Sequence, residues 1–118
     1  MPVLRLLLVD DEPALADLLK KYLERLGYEV DVCGSAEEAL PRFLENPQHY
    51  SLVLSDLTLP GINGDEMIER MRAVDANLKA IVSSGYPHQP RSKQTAFLQK
   101  PYVPKMLAEM IEKKLKTT

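Results

Sequence analysis

The sequence predicts an α/β fold with a parallel sheet covered on both faces, and three observations carry that prediction. Apolar runs and amphipathic helical patterns alternate five times along 118 residues. The run from Val3 to Val9 is nearly unbroken, as in a strand buried on both sides. The run Ser51-Leu52-Val53-Leu54-Ser55-Asp56 ends on one acid and then meets the turn signal Pro60-Gly61. A carboxylate at the carboxyl end of such a strand lies where open α/β sheets place their ligands.

The elements follow in order. The first strand stops at Asp10-Asp11-Glu12, and Pro13 suits the first turn of a helix because its missing N–H would have no partner there. Leu15, Leu18, Leu19, Tyr22, Leu23 and Leu26 recur at helical spacing and are expected to face inward, with Gly27 as terminator. Tyr28 to Cys33 is the second strand, Val30 and Val32 alternating with Glu29 and Asp31. Ser35-Ala36-Glu37-Glu38 fits a capping box and starts the second helix, in which Pro41 predicts a kink or an irregular first turn. Tyr50 to Asp56 is the third strand. Asn63-Gly64 leads into a third helix with Met67, Ile68 and Met71 inward, methionines of the core-filling kind. Lys79 to Ser84 is the fourth strand. The polar stretch His88 to Thr95 has almost no apolar periodicity, so a helix there is doubtful. Ala96 to Gln99 is a short fifth strand, and the last helix turns Leu107, Met110, Ile111 and Leu115 inward.

The totals bound the function. A length of 118 residues with 45% hydrophobic content suits one compact domain with its own core, here residues 1–118. The net charge of -2 supplies no attraction for nucleic acid or an anionic membrane. Cys33 is the only cysteine, which excludes an internal disulfide, fits a reducing compartment and reads as a buried inert thiol. Leu6 to Val9 is far too short to cross a bilayer, so a cytoplasmic location is expected. His49 and His88 have no acids near them in sequence at a strand end and read as surface residues.

The chemistry gathers at four strand ends. Asp10 and Asp11 end strand one, Asp56 strand three, Ser84 strand four and Lys100 strand five. A parallel sheet brings these ends to one edge. Three carboxylates together repel unless a cation sits among them, and hard oxygen ligands suit Mg²⁺. A lysine and a small hydroxyl complete a place for a phosphoryl group. Each piece alone is a weak signal, since an acid pair after a strand is commonly just a polar loop.

Val9-Asp10-Asp11-Glu12, Asp56-Leu57-Thr58-Leu59-Pro60-Gly61 with Asn63-Gly64, Val82-Ser83-Ser84-Gly85 and Phe97-Leu98-Gln99-Lys100-Pro101 together resemble a two-component response-regulator receiver domain. The resemblance implies the doubly wound, flavodoxin-like strand order 2-1-3-4-5. It implies Asp56 as phosphoryl acceptor and Asp10, Asp11, Asp56 and the backbone carbonyl of Thr58 as ligands of Mg²⁺. It further implies Ser84, rather than Ser83, as the switch hydroxyl, Phe97 as the switch aromatic, Lys100 as partner of the phosphoryl oxygens, and a cis Lys100–Pro101 bond. The implied function is phosphorelay signalling. A sensor histidine kinase or histidine phosphotransfer protein donates the group, a downstream protein reads the altered surface, and the domain catalyses only its own phosphorylation and dephosphorylation.

Two features depart from that pattern. The segment from Ser84 to Lys100 is shorter than the family usually has, by roughly one and a half helical turns. Helix four is therefore expected to be shortened or absent. No output domain follows Thr118, which fits a stand-alone regulator or a receiver from a hybrid sensor kinase. Two other classes stay open. A haloacid-dehalogenase-type phosphatase would need an Asp-x-Asp pattern after strand one, which Asp10-Asp11-Glu12-Pro13 lacks. A pseudo-receiver would keep the fold as an interaction module without accepting phosphate.

Overall fold

The computed structural model describes residues 3–90 and 92–116. In chain order the elements are β1 (Arg5–Val9), α1 (Pro13–Arg25), β2 (Glu29–Cys33), α2 (Ala36–Glu45), β3 (Leu52–Asp56), α3 (Gly64–Arg72), β4 (Lys79–Ser84), β5 (Thr95–Gln99) and α4 (Pro104–Lys116). All four strand pairings are parallel, and the sheet order is β2-β1-β3-β4-β5. The alternation read from the sequence therefore becomes the expected doubly wound sheet.

Side-chain alternation splits the core in two. Leu7, Val9, Val53, Ala80 and Val82 face α2 and α3, where Phe43, Met67 and Met71 fill the layer. Leu6, Leu8, Leu52, Leu54 and Ile81 face α1 and α4, against Leu19, Leu23, Leu107 and Ile111. Burying one such leucine or isoleucine side chain contributes about 1.5–3 kcal/mol, so both faces are firmly fixed.

Some local readings need correction. In α1 the buried stripe is Ala16, Leu19 and Leu23, whereas Leu18 and Leu26 are each 54% exposed. The periodicity placed the stripe correctly but made it too wide. In α2, Ser35 Oγ accepts from the Glu38 amide at 3.1 Å, while the reciprocal bond comes from the Gly34 amide to Glu38 Oε2 at 3.0 Å, one residue earlier than a capping box places it. The helix continues through Pro41 to Glu45. In the element order β4 is followed directly by β5, and among the described residues of the link, Gly85 to Gln94, no helix is present. No helix among the described residues is long and apolar enough to cross a membrane.

His88 is not a free surface residue. It lies half-buried in the β4–β5 link, its ring edge-on to Phe97 at 6.0 Å between centroids, with Nε2 3.1 Å from Asp65 Oδ2. His49 is exposed and stands edge-on to Tyr50. Cys33 is buried as expected, and burial pushes its thiol pKa up.

Candidate functional site

The register decides which side chains meet. β1 and β3 end side by side, with Val9 beside Ser55, and Asp56 lies beside Ser83 of β4. Asp10, Asp11 and Asp56 thereby reach a common point: each offers a carboxylate oxygen, and these oxygens lie within 4.8 Å of one another. Asp10 and Asp56 are nearly buried, at 4% and 7% exposure, whereas Asp11 is open to solvent. Lys100 follows β5 and points back, its Nζ 2.7 Å from Asp56 Oδ1. A cleft lined by Asp11, Asp56, Thr58, Ser84, Tyr86 and Lys100 opens above them. The structure thus brings Asp10, Asp11, Asp56, Thr58, Ser84 and Lys100 together.

Electrostatics show what the cluster lacks. The Asp10 carboxyl is raised to about 6, chiefly by burial and further by the adjacent Asp56 carboxylate; the Glu12 amide, donating to its Oδ1 at 2.8 Å, opposes the rise. Burial works against the charge on Lys100, but its hydrogen bond to Asp56 and the fields of Asp56, Asp10 and Glu12 prevail and raise its pKa. One ammonium among three carboxylates leaves negative charge uncompensated. The donor set, hard oxygens only and half-exposed, fits a divalent cation.

The loop after β3 is tied down on all sides. The Leu57 amide donates to the Ser83 carbonyl and the Gly64 amide to the Leu57 carbonyl, both at 2.8 Å. A β-carbon at Gly64 would collide with the Asp56 carbonyl, so only glycine allows α3 to start this close to the acid. From α2, Glu37 Oε2 accepts the Ile62 amide at 3.0 Å. Gly61 sits at φ 75, where a side chain would also overlap Glu37. The Lys100–Pro101 bond is cis, as expected.

Two roles were not visible in the sequence. Ser83 is buried and its Oγ donates to Asp56 Oδ1 at 3.1 Å, whereas Ser84 Oγ accepts the Tyr86 amide at 3.1 Å. The two serines point to opposite faces: Ser83 follows Ile81 toward α1 and α4, and Ser84 follows Val82 toward the side where Phe97 packs. Period-two counting back from the end of β4 would have shown this once the Asp56–Ser83 register was known. The second is Tyr102, which borders Ser83 and Asp56 in one close-packed space and whose phenol is held above its ordinary pKa, first by burial.

A doubly wound parallel sheet thus gathers three acids, a hydroxyl and a lysine at one edge. The response regulator receiver domain profile matches residues 6–112, and the chain belongs to that family. The response regulator receiver protein CpdR of Brucella abortus is 31% identical over 117 residues, covering 94% of this chain and 96% of its own. Among solved structures, the receiver domain of the hybrid histidine kinase CckA superposes with a TM-score of 0.86 at 33% identity, covering 95% of this chain and 99% of that one. The response regulator TrrA of Thermotoga maritima, in complex with Mg²⁺ and BeF, gives 0.82 at 32% identity over 95% and 99%. Other relatives are much longer: the match to the Arabidopsis thaliana two-component response regulator ARR14 spans 69% of this chain but 21% of that protein.

Proposed function

We propose that this receiver accepts a phosphoryl group on Asp56 from a phosphohistidine of a sensor histidine kinase or histidine phosphotransfer protein. The observation that carries the proposal is the placement of Asp56 at the floor of an open cleft, ion-paired to Lys100 and facing two further acids. Asp10, Asp11, Asp56 and the Thr58 carbonyl would hold Mg²⁺, which when bound supplies charge neutralisation for the transferring group. Asp56 provides the attacking oxygen: its bond to phosphorus forms as the phosphorus–nitrogen bond breaks. Lys100 balances charge on the phosphoryl oxygens, and burial of the acceptor strengthens that attraction.

The product carries about -1.5 to -2 of new charge and fresh acceptor oxygens. Ser84 lies in the same cleft and donates to one of them; Phe97, packed on the same face of the sheet, turns into the space Ser84 leaves. Among its described residues the link from Gly85 to Gln94 carries no helix, so a downstream protein would read a smaller surface there. His88, resting on Phe97, transmits the ring's position to that link.

Incubation with Mg²⁺ and a small acyl-phosphate donor, followed by intact-mass measurement, tests the proposal. Wild type gains one phosphoryl group and Asp56→Asn gains none. Equal labelling of both would refute Asp56 as acceptor. No labelling of wild type by any donor would favour a pseudo-receiver.

A further inference from the structure

We propose that Ser83 is a catalytic hydrogen-bond donor that shortens the life of the phosphorylated state. The inference rests on the reading of Asp56 as phosphoryl acceptor. It starts from the two oxygens of one carboxylate. Lys100 Nζ at 2.7 Å and Ser83 Oγ at 3.1 Å both contact Asp56 Oδ1. The doubly held oxygen is a poor nucleophile, so Oδ2 is the one that bonds to phosphorus, and Oδ1 becomes the carbonyl oxygen of the acyl phosphate.

Proton counting fixes the direction of the bond. An ionised carboxylate only accepts, so the single hydroxyl proton of Ser83 goes to Asp56. Tyr102 borders the same pair. All three side chains line one close-packed space beneath the cleft, together with Asp10, Leu54 and Leu107. Ser83 is 8% exposed, so little water competes for its bond to Asp56.

The consequence follows from charge. In hydrolysis, water attacks phosphorus and the Oδ2–phosphorus bond breaks. Its electron pair returns to the carboxylate, the water proton passes to solvent, and aspartate and inorganic phosphate remain. Negative charge grows on Asp56 as the bond breaks, and part of it appears on Oδ1. A hydrogen bond to a charged oxygen is roughly twice as strong as one to a neutral carbonyl. Ser83 therefore stabilises the leaving carboxylate more than the acyl phosphate and speeds dephosphorylation. It also biases the resting domain toward the unphosphorylated form.

The test is the half-life of the phosphoryl group on Asp56, followed by intact mass after the donor is removed. Ser83→Ala should lengthen it on the order of tenfold, and Ser83→Thr should stay near wild type. Thermal melts with and without Mg²⁺ confirm that each variant folds and keeps its cation response. A Ser83→Ala half-life equal to or shorter than wild type overturns the inference while leaving Asp56 as acceptor. Should Ser83→Ala fail to fold, an unchanged half-life in Ser83→Cys overturns it equally. Failure of wild type to acquire the group at all overturns both readings.

Discussion

Asp10 is predicted to destabilise the metal-free domain at neutral pH. Its carboxyl is raised from 3.8 to about 6 in the folded chain, first by burial and then by Asp56, against the pull of the Glu12 amide. A raised carboxyl favours the native state only while protonated. That contribution is full below about pH 3.8 and disappears as pH rises through 6. At pH 7.5 the ionised acid therefore costs up to about 3 kcal/mol relative to a neutral isostere. Asp10→Asn removes the charge and keeps an oxygen to accept the Glu12 amide, which now donates at 2.8 Å. Without Mg²⁺ at pH 7.5 the variant should be more stable by about 1–3 kcal/mol, or roughly 4–12 °C in Tm for a chain of this size. At pH 4 the gap should close. Saturation to 100 times Kd stabilises wild type by about 2.7 kcal/mol, whereas a variant with one ligand oxygen neutralised should gain far less. Scanning fluorimetry across pH, with and without Mg²⁺, reads all four conditions. A metal-free Asp10→Asn that melts at or below wild type at pH 7.5, or an equal Mg²⁺ shift in both proteins, refutes the reasoning.

Other substitutions probe the supports of the site. Lys100→Met strips Asp56 of the ammonium 2.7 Å away and should cost about 1–3 kcal/mol in urea unfolding at pH 7.5, with phosphoryl acceptance down on the order of 100-fold. Gly64→Ala forces a methyl group onto the Asp56 carbonyl and should destabilise by about 1–3 kcal/mol, visible in the same denaturation curves. Glu37→Ala frees the Ile62 amide and loosens the loop that carries Thr58. Mg²⁺ affinity by calorimetry should fall about threefold, while Glu37→Gln keeps an acceptor and stays near wild type. Arg72 ties α3 to β5 by bonding the Leu78 carbonyl at 3.0 Å and Thr95 Oγ1 at 2.6 Å. Arg72→Met should cost about 1–2 kcal/mol and speed amide exchange in β5 more than in β1.

The sheet and most of the site were legible because both depend on one-dimensional patterns. Unbroken apolar runs such as Leu6 to Val9 mark doubly buried strands, and strand-end residues must share an edge whatever the loops do. Asp10, Asp11, Asp56 and Lys100 could be brought together on that rule alone. What escaped the sequence depends on register and on reach. Seeing that Ser83 donates to Asp56 requires knowing that the two pair across β3 and β4, a fact that neither strand contains by itself. Leu18 looked like core by spacing, yet the sheet is already covered by Ala16, Leu19 and Leu23. His88 sits in a stretch without periodicity, so nothing announced that its ring would rest on Phe97. Glu37 reaches Ile62 across 25 positions and looks like any solvated first-turn acid until the loop is in place.

The account turns on the chemical identity of residue 56 after phosphorylation. Borohydride reduces an aspartyl phosphate to homoserine, and peptide mass mapping locates the converted residue. Treatment of the protein with donor and Mg²⁺ should yield homoserine at position 56 and nowhere else, and none when Mg²⁺ is chelated. Homoserine at another acid, or stable label on a serine or histidine with position 56 unchanged, would contradict it.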